Sequence, residues 1–91
     1  MNEKNNITIY LGKEYGTIFA KRIIEVTNDA DTYILISTEN RPNYKIYMTT
    51  DEMDSMSKNI KKNEIDLRNF IDRTYILKDR SEFLITRGLK L

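Results

Sequence analysis

The feature of this sequence that most constrains its fold is a series of strand-forming segments joined by connections too short to cross a sheet. Phe19–Thr27, Thr32–Thr38 and Tyr44–Met48 are rich in β-branched and aromatic residues. They are separated by Asn28–Asp31 and Glu39–Asn43, which carry Asn, Asp and the only proline of the sequence, as turns do. A parallel connection needs a crossover of a dozen or more residues. The three segments are therefore predicted to form an antiparallel meander.

A further strand is predicted at Asn6–Leu11, where Ile7, Ile9 and Leu11 alternate with polar or amphipathic residues. After it, Gly12 and Gly16 are predicted to bracket a loop. The segment Thr17–Thr27 has two interpretations, because its apolar residues fit one face of a strand and also a helical stripe. We favour a strand, since the turn Asn28–Asp31 and the strand-forming segment Thr32–Thr38 that follow would complete a hairpin with it.

One helix is predicted at Thr49–Lys62, about residues 50–62. Thr49 and Glu52 have the spacing of a capping box, with Thr49 as the N-cap. Asn63 is a plausible stop for this helix. An apolar stripe at helical spacing is expected to face the sheet, and consists of Met53, Met56 and Ile60.

The C-terminal segment is predicted to be largely strand-like, at Ile65–Asp72 and Thr74–Lys78, whereas Glu82–Thr86 fits a short strand or a helical turn. The whole chain of 91 residues is predicted to form a single domain, residues 1–91. Its predicted fold class is α+β, a small antiparallel β-meander or twisted sheet with one helix packed on it.

The composition argues against catalysis, because the sequence contains no cysteine and no histidine. The first absence removes disulfides, thiolate zinc sites and cysteine nucleophiles. The second removes the commonest general base and the triads built on it. The three glycines, Gly12, Gly16 and Gly88, form no phosphate-binding loop. We therefore predict that the protein is not an enzyme and has no catalytic residue, no cofactor and no metal site.

The densest group of carboxylates, Asp51, Glu52 and Asp54, has two interpretations. Carboxylate oxygens are ligands for hard divalent cations, so the group could form a metal site. Negative side chains also complement the dipole at a helix N-terminus. We favour the second interpretation, because a threonine cap precedes the group and lysines follow at the far end of the same helix.

The expected location is the cytoplasm, without membrane contact. No apolar run approaches the ~20 residues needed to span a bilayer, and the segment Met1–Asn6 is polar. The richness in Asn, Ile and Lys is typical of an AT-rich genome. In this respect the chain is similar in style to accessory proteins of phages and mobile elements in low-GC bacteria.

A partner-binding surface is predicted at Arg41, Tyr44 and Tyr47. Tyrosine and arginine are enriched at interface hot spots, and the sequence contains six tyrosines. Because Tyr44 and Tyr47 lie three residues apart on one strand, they point to opposite faces, and at least one is expected to face outward.

Charge is distributed unevenly along the chain, whose net charge is +1. Residues 1–56 carry six Lys/Arg and nine Asp/Glu, whereas residues 57–91 carry nine Lys/Arg and five Asp/Glu. Lys58, Lys61 and Lys62 are therefore candidate contacts to nucleic acid. The alternative is a solvated face, which we favour because opposite charges are interleaved.

These observations predict a small, non-enzymatic protein-binding module. One form of this hypothesis is an inhibitor carried by a phage or mobile element, which acts on a host defence protein or nuclease by stoichiometric binding. The alternative is a nucleic-acid-binding or regulatory domain that uses the basic C-terminal half. Since exposed edge strands can pair between copies, a homodimer is also compatible with the sequence.

Overall fold

A computed structural model of the chain describes residues 7–28, 30–39, 42–60 and 62–89. Within these ranges the strands are β1 (Ile7–Tyr10), β2 (Thr17–Thr27), β3 (Thr32–Thr38), β4 (Asn43–Tyr47), β5 (Glu64–Asp66) and β6 (Thr74–Leu77). The α-helices are α1 (Gly12–Tyr15), α2 (Thr50–Ile60) and α3 (Arg80–Thr86), and a 3₁₀ helix spans Arg68–Arg73.

The six strands form one sheet in the order β5-β1-β2-β3-β4-β6. Strands β1 to β4 pair with their neighbours in antiparallel fashion, which confirms the predicted meander. At one end β5 pairs parallel to β1, and at the other end β6 pairs antiparallel to β4. The α+β fold class predicted from the sequence is thus confirmed, with a sheet that is mixed only at β5.

The ambiguous segment Thr17–Thr27 is a strand, and a bulge explains why its pattern was unclear. The register with β3 shifts between Ala20 and Arg22, so that Lys21 has no partner. Ala20 and Ile23 therefore reach the same core although they lie three positions apart, a spacing that would put them on opposite faces of a regular strand.

The sheet buries side chains on both faces. The larger core lies on the face covered by α2 and includes Ile9, Ile18, Ile34, Ile36, Tyr44, Ile46, Met53 and Met56. The smaller core lies on the opposite face, under α3, and consists of Tyr33, Leu35, Leu77 and Phe83. We call these the α2 face and the α3 face.

Helix α2 begins as the capping box predicts. The Glu52 N–H donates to Thr49 Oγ1 at 3.1 Å, and the Thr49 N–H donates to Glu52 Oε1 at 2.8 Å. Asn63, the predicted stop, adopts a left-handed conformation with φ of 61°. Of the predicted apolar stripe, Met53 and Met56 are buried, and Ile60 packs partly buried against the same core.

Two parts of the chain are helical where the sequence analysis placed other structure. Residues 68–73, predicted as part of a strand, form the 3₁₀ helix, because Leu67 and Phe70 have helical spacing and the Phe70 N–H donates to the Leu67 carbonyl. Gly12–Tyr15, interpreted as loop, forms the single turn α1. The segment left open between strand and helical turn, Glu82–Thr86, belongs to α3. Among the described residues, no helix has the length and apolar character required to cross a bilayer.

Candidate functional site

The predicted partner-binding residues do not share one surface. Tyr44 is 2% exposed and lies in the core on the α2 face, where its ring meets Tyr15 edge-on at 5.9 Å between centroids. Tyr47 is half-buried and lies on the α3 face. Arg41 lies outside the described residues. Of the two tyrosines, only Tyr47 can therefore offer part of its ring to a partner of the folded domain.

Three tyrosine rings form a row across the α3 face of β3, β4 and β6. Tyr33 meets Tyr47 at 5.6 Å between centroids, and Tyr47 meets Tyr75 at 5.7 Å, both edge to face. The Lys45 ammonium lies 4.6 Å from the Tyr33 ring centroid and 4.7 Å from that of Tyr47. These cation–π contacts fix a positive charge beside Tyr33 and Tyr47.

A groove of about 350 Å³ opens between β6 and α3 next to this row. The α3 wall is held by Phe83, buried against the sheet, and by the Tyr33 hydroxyl, which donates to the Thr86 carbonyl at 2.5 Å. We call this groove the β6 groove; its lining residues are Lys45, Tyr47, Tyr75, Ile76, Leu77, Glu82 and Thr86.

Strand β6 is the last strand of the sheet, and within the described ranges no other strand pairs with its outer side. Tyr75 is 53% exposed and Ile76 is 50% exposed. The register places Tyr75 opposite Lys45 on the α3 face and Ile76 opposite Tyr44 on the α2 face. No residue of β6 is charged. We call this outer side the β6 edge; it presents backbone donors and acceptors flanked by apolar side chains on both faces.

The opposite edge of the sheet is different in length and charge. Strand β5 has three residues, one fewer than β6, and its exposed residues are Glu64 and Asp66. The Arg68 guanidinium lies 2.7 Å from Asp66 and lowers the pKa of that carboxyl through its hydrogen bonds. Short edge strands and charged side chains on them are two features by which proteins prevent edge pairing. The two edges of the sheet are therefore not equivalent.

A second exposed aromatic patch lies at the β5 end of the sheet. Phe19 is 58% exposed, and Tyr10 nearby is stacked by Arg68, whose guanidinium carbon is 5.2 Å from the ring centroid. Glu64 and Asp66 line the shallow groove beside Tyr10. This patch thus combines aromatic rings with carboxylates, an unfavourable setting for a polyanion.

Two of the lysines proposed as contacts to nucleic acid are described: Lys58 lies in the last turn of α2, and Lys62 follows the helix. Lys58 and Lys62 are exposed, and Lys61 lies outside the described residues. Two other cations of the basic half are already engaged: Arg68 with Asp66 at 2.7 Å and Arg73 with Glu52 at 3.0 Å.

One of the carboxylates at the start of α2, that of Glu52, is engaged by neighbouring residues. Glu52 accepts from the Arg73 guanidinium and from the Thr49 N–H, and these hydrogen bonds lower the pKa of its carboxyl. In the part of the chain that the structure describes, no group of three His, Cys, Asp or Glu side chains is arranged to hold a metal ion.

A scan against protein-family models, a search of curated proteins and a search of solved structures each found no match. The function therefore has to be argued from the surface of the domain itself. Tyr75 and Ile76, which dominate the β6 edge, were missed in the sequence analysis. The sequence carried only part of the signal: Thr74–Leu77 is a strand-forming segment without charge, but its position at an edge follows from the strand order.

Proposed function

We propose that this protein is a non-enzymatic protein-binding module that docks its partner through the β6 edge and the β6 groove. The observation that carries the proposal is the contrast between the two sheet edges. The β6 edge exposes Tyr75 and Ile76 without a charge, whereas the β5 edge is short and acidic. Only the first has the chemistry of a strand-accepting edge.

The β6 edge supports recognition of an extended segment of the partner. Backbone N–H and C=O groups of an edge strand pair with an added strand, and alternate side chains then enter pockets on either face. On the α3 face the β6 groove supplies Tyr47 and Tyr75 as anchors and Lys45 as a fixed cation. Tyrosine is among the residues that dominate binding energy at interfaces.

A stoichiometric binder of this kind acts by covering a surface of its partner. The more specific form of the proposal is the one that the composition favours, an inhibitor carried by a phage or mobile element that binds a host defence protein or nuclease. Capture of the partner tests this form directly, because its identity is the readout.

The test is capture from a lysate of a low-GC bacterium with the chain immobilised. The wild type and Phe19→Lys, a control at a similarly exposed site away from β6, are expected to retain the same protein in stoichiometric amount. Tyr75→Lys is expected to lose it. A partner retained equally by Tyr75→Lys would exclude the β6 edge as the docking surface.

Calorimetry with the purified partner then measures individual residues. Tyr75→Ala and Arg41→Ala are each expected to weaken binding by more than about 1 kcal/mol without lowering stability. Tyr47→Ala is expected to weaken binding by a similar amount, but it also removes packing against the smaller core and so lowers stability. Tyr44→Ala is unsuitable for this purpose, because it removes a core residue. Unchanged affinity in all three variants would contradict the proposal.

The alternative, binding of nucleic acid, has support in the exposure of Lys58 and Lys62. Titration of labelled DNA and RNA at two salt concentrations tests it. Affinity that falls steeply with salt and is lost on alanine substitution of Lys58, Lys61 and Lys62 would favour this alternative over a protein partner.

A further inference from the structure

We infer that, without a partner, the β6 edge pairs with the β6 edge of a second copy of this chain. The product is a twofold dimer with one continuous sheet. The inference rests on the proposed function in one respect, because both use the β6 edge. A partner that docks there would have to displace the second copy.

The geometry of the edge restricts how two copies can pair. A twofold axis perpendicular to the sheet makes the two β6 strands antiparallel and keeps the α3 faces of both copies on the same side. Directly opposite residues of an antiparallel pair share a face. Since Tyr75 and Ile76 lie on opposite faces, the central pair is either Tyr75 with the second copy's Tyr75 or Ile76 with the second copy's Ile76.

Either arrangement covers the exposed side chains of the strand. Tyr75 and Ile76 are about half exposed in the isolated domain. In the first arrangement the two Tyr75 rings meet on the α3 face, and on the α2 face each Ile76 lies beside the second copy's Thr74. In the second, the two Ile76 side chains meet, and each Tyr75 lies beside the second copy's Leu77. Aromatic and aliphatic cross-strand pairs of this kind stabilise sheets.

The charges that flank β6 are complementary under antiparallel pairing. Asp72 precedes the strand and Lys78 follows it; both are exposed, and neither forms an ion pair with another described residue. Asp72 lies in the 3₁₀ helix and Arg80 begins α3, so the strand register does not extend to them, but antiparallel pairing brings the Asp72 end of each β6 strand beside the Lys78 end of the second copy's strand. Arg73, the other charge before the strand, is held by Glu52 on α2.

The same comparison argues against pairing through β5. There each Glu64 would face the second copy's Asp66. Arg68 compensates the charge of Asp66 within its own copy, but Glu64 forms no ion pair with another described residue, and an uncompensated charge on an edge strand opposes pairing. The charge pattern thus selects β6 as the edge that accepts a second copy.

Sedimentation equilibrium of the isolated chain tests the dimer. The wild type and the control Phe19→Lys are expected to associate to twice the monomer mass as concentration rises. Ile76→Lys is expected to remain a monomer, since lysine on an edge strand prevents pairing. Circular dichroism verifies that each variant is folded. A wild type that is monomeric throughout, or an Ile76→Lys variant that dimerises equally well, would overturn the inference.

A charge exchange tests the direction of pairing. Asp72→Lys and Lys78→Asp are each expected to weaken association, and the chain carrying both changes is expected to recover it. If the double variant does not associate more tightly than its single variants, antiparallel pairing at β6 is excluded.

Cysteine cross-linking assigns the central pair, because the chain has no other thiol. Opposite Cα atoms of an antiparallel pair lie about 4.5–5.5 Å apart, within the reach of a disulfide. Tyr75→Cys is expected to form a covalent dimer in the first arrangement and Ile76→Cys in the second. Cross-linking no faster than in Phe19→Cys at either site would overturn the inference. These experiments need no partner: a dimer without any captured protein contradicts only the proposed function, and a captured protein without a dimer contradicts only the self-pairing.

Discussion

Thr49 decides where α2 begins. Its hydroxyl accepts the Glu52 N–H, and its own N–H donates to the Glu52 carboxylate. Thr49→Ala removes the first of these bonds and is expected to cost about 1 kcal/mol in the free energy of unfolding, measured by urea denaturation. Thr50→Ala, one residue further along and also exposed, is the matched control and is expected to leave stability unchanged or slightly raised. Equal losses in both variants would contradict a capping role.

Glu52 is also expected to make stability depend on pH. The Arg73 guanidinium and the Thr49 N–H lower the pKa of its carboxyl in the folded state. Its contribution is therefore fully present above the unfolded-state pKa of about 4.3 and is lost as the pH falls through the lower folded-state value. Glu52→Gln is expected to lower the free energy of unfolding by about 0.5–1 kcal/mol at pH 7, because both partners are partly exposed.

Urea denaturation of the wild type and Glu52→Gln between pH 7 and pH 2 measures this effect. The difference between the two is expected to shrink towards zero at the acidic end. A difference that stays constant over this range would mean that the charge of Glu52 contributes nothing to stability.

Side chains in α2 separate into buried and partly buried positions that the periodicity alone could not distinguish. Met56 is 4% exposed, whereas Ile60 packs at the margin of the core. Met56→Ala is expected to cost about 2–5 kcal/mol. Ile60→Ala is expected to cost less, about 1–2 kcal/mol. Chemical denaturation measures both, and the reverse order would contradict the observed packing.

At the scale of the element, local signals predicted most of the structure. The meander, the hairpin turn at Asn28 and the cap of α2 depend on neighbouring residues, and all are observed. Helix α3 carries a signal of the same kind, since Asp79 accepts the Glu82 N–H at 2.9 Å, and Glu82 in turn accepts the Lys78 N–H. That Asp79–Glu82 spacing was present in the sequence, but a short strand-forming stretch after it left the segment ambiguous.

Helix α3 is too short to be stable alone and depends on its contacts with the sheet. Besides Phe83 in the smaller core, the Tyr33 hydroxyl holds its last turn through the Thr86 carbonyl. Tyr33→Phe keeps the ring and removes this bond. Hydrogen exchange is expected to become faster for the amides of residues 83–89 and to stay unchanged in α2. Unchanged exchange in both helices would mean that Phe83 alone holds α3.

At the scale of the molecule, the candidate site could not be predicted because it depends on the order of strands. Strand β6 pairs with β4 although α2 and β5 lie between them in the sequence, and β5 pairs with β1 at the other end of the sheet. Neither pairing is implied by adjacent residues. Tyr44 shows the same limit: alternation placed the two tyrosines on opposite faces, but both faces of this sheet are covered near β4.

Dimerisation through β6 links stability to concentration. A dimer that forms only from folded chains raises the midpoint of thermal unfolding as protein concentration increases. Calorimetric scans are therefore expected to show a rising midpoint for the wild type and a constant one for Ile76→Lys. A constant midpoint in both would contradict association of the folded state in this range.

The acidic β5 edge has a consequence for how far assembly can proceed. When two domains join through β6, the outer margins of the joined sheet are both β5, each with Glu64 and Asp66. A ribbon or fibril grows only if every subunit has two edges that can pair. One edge joins the end of the growing assembly, and the other accepts the next subunit. This fold has one such edge, β6, so assembly ends at two chains, because the carboxylates of β5 oppose further pairing.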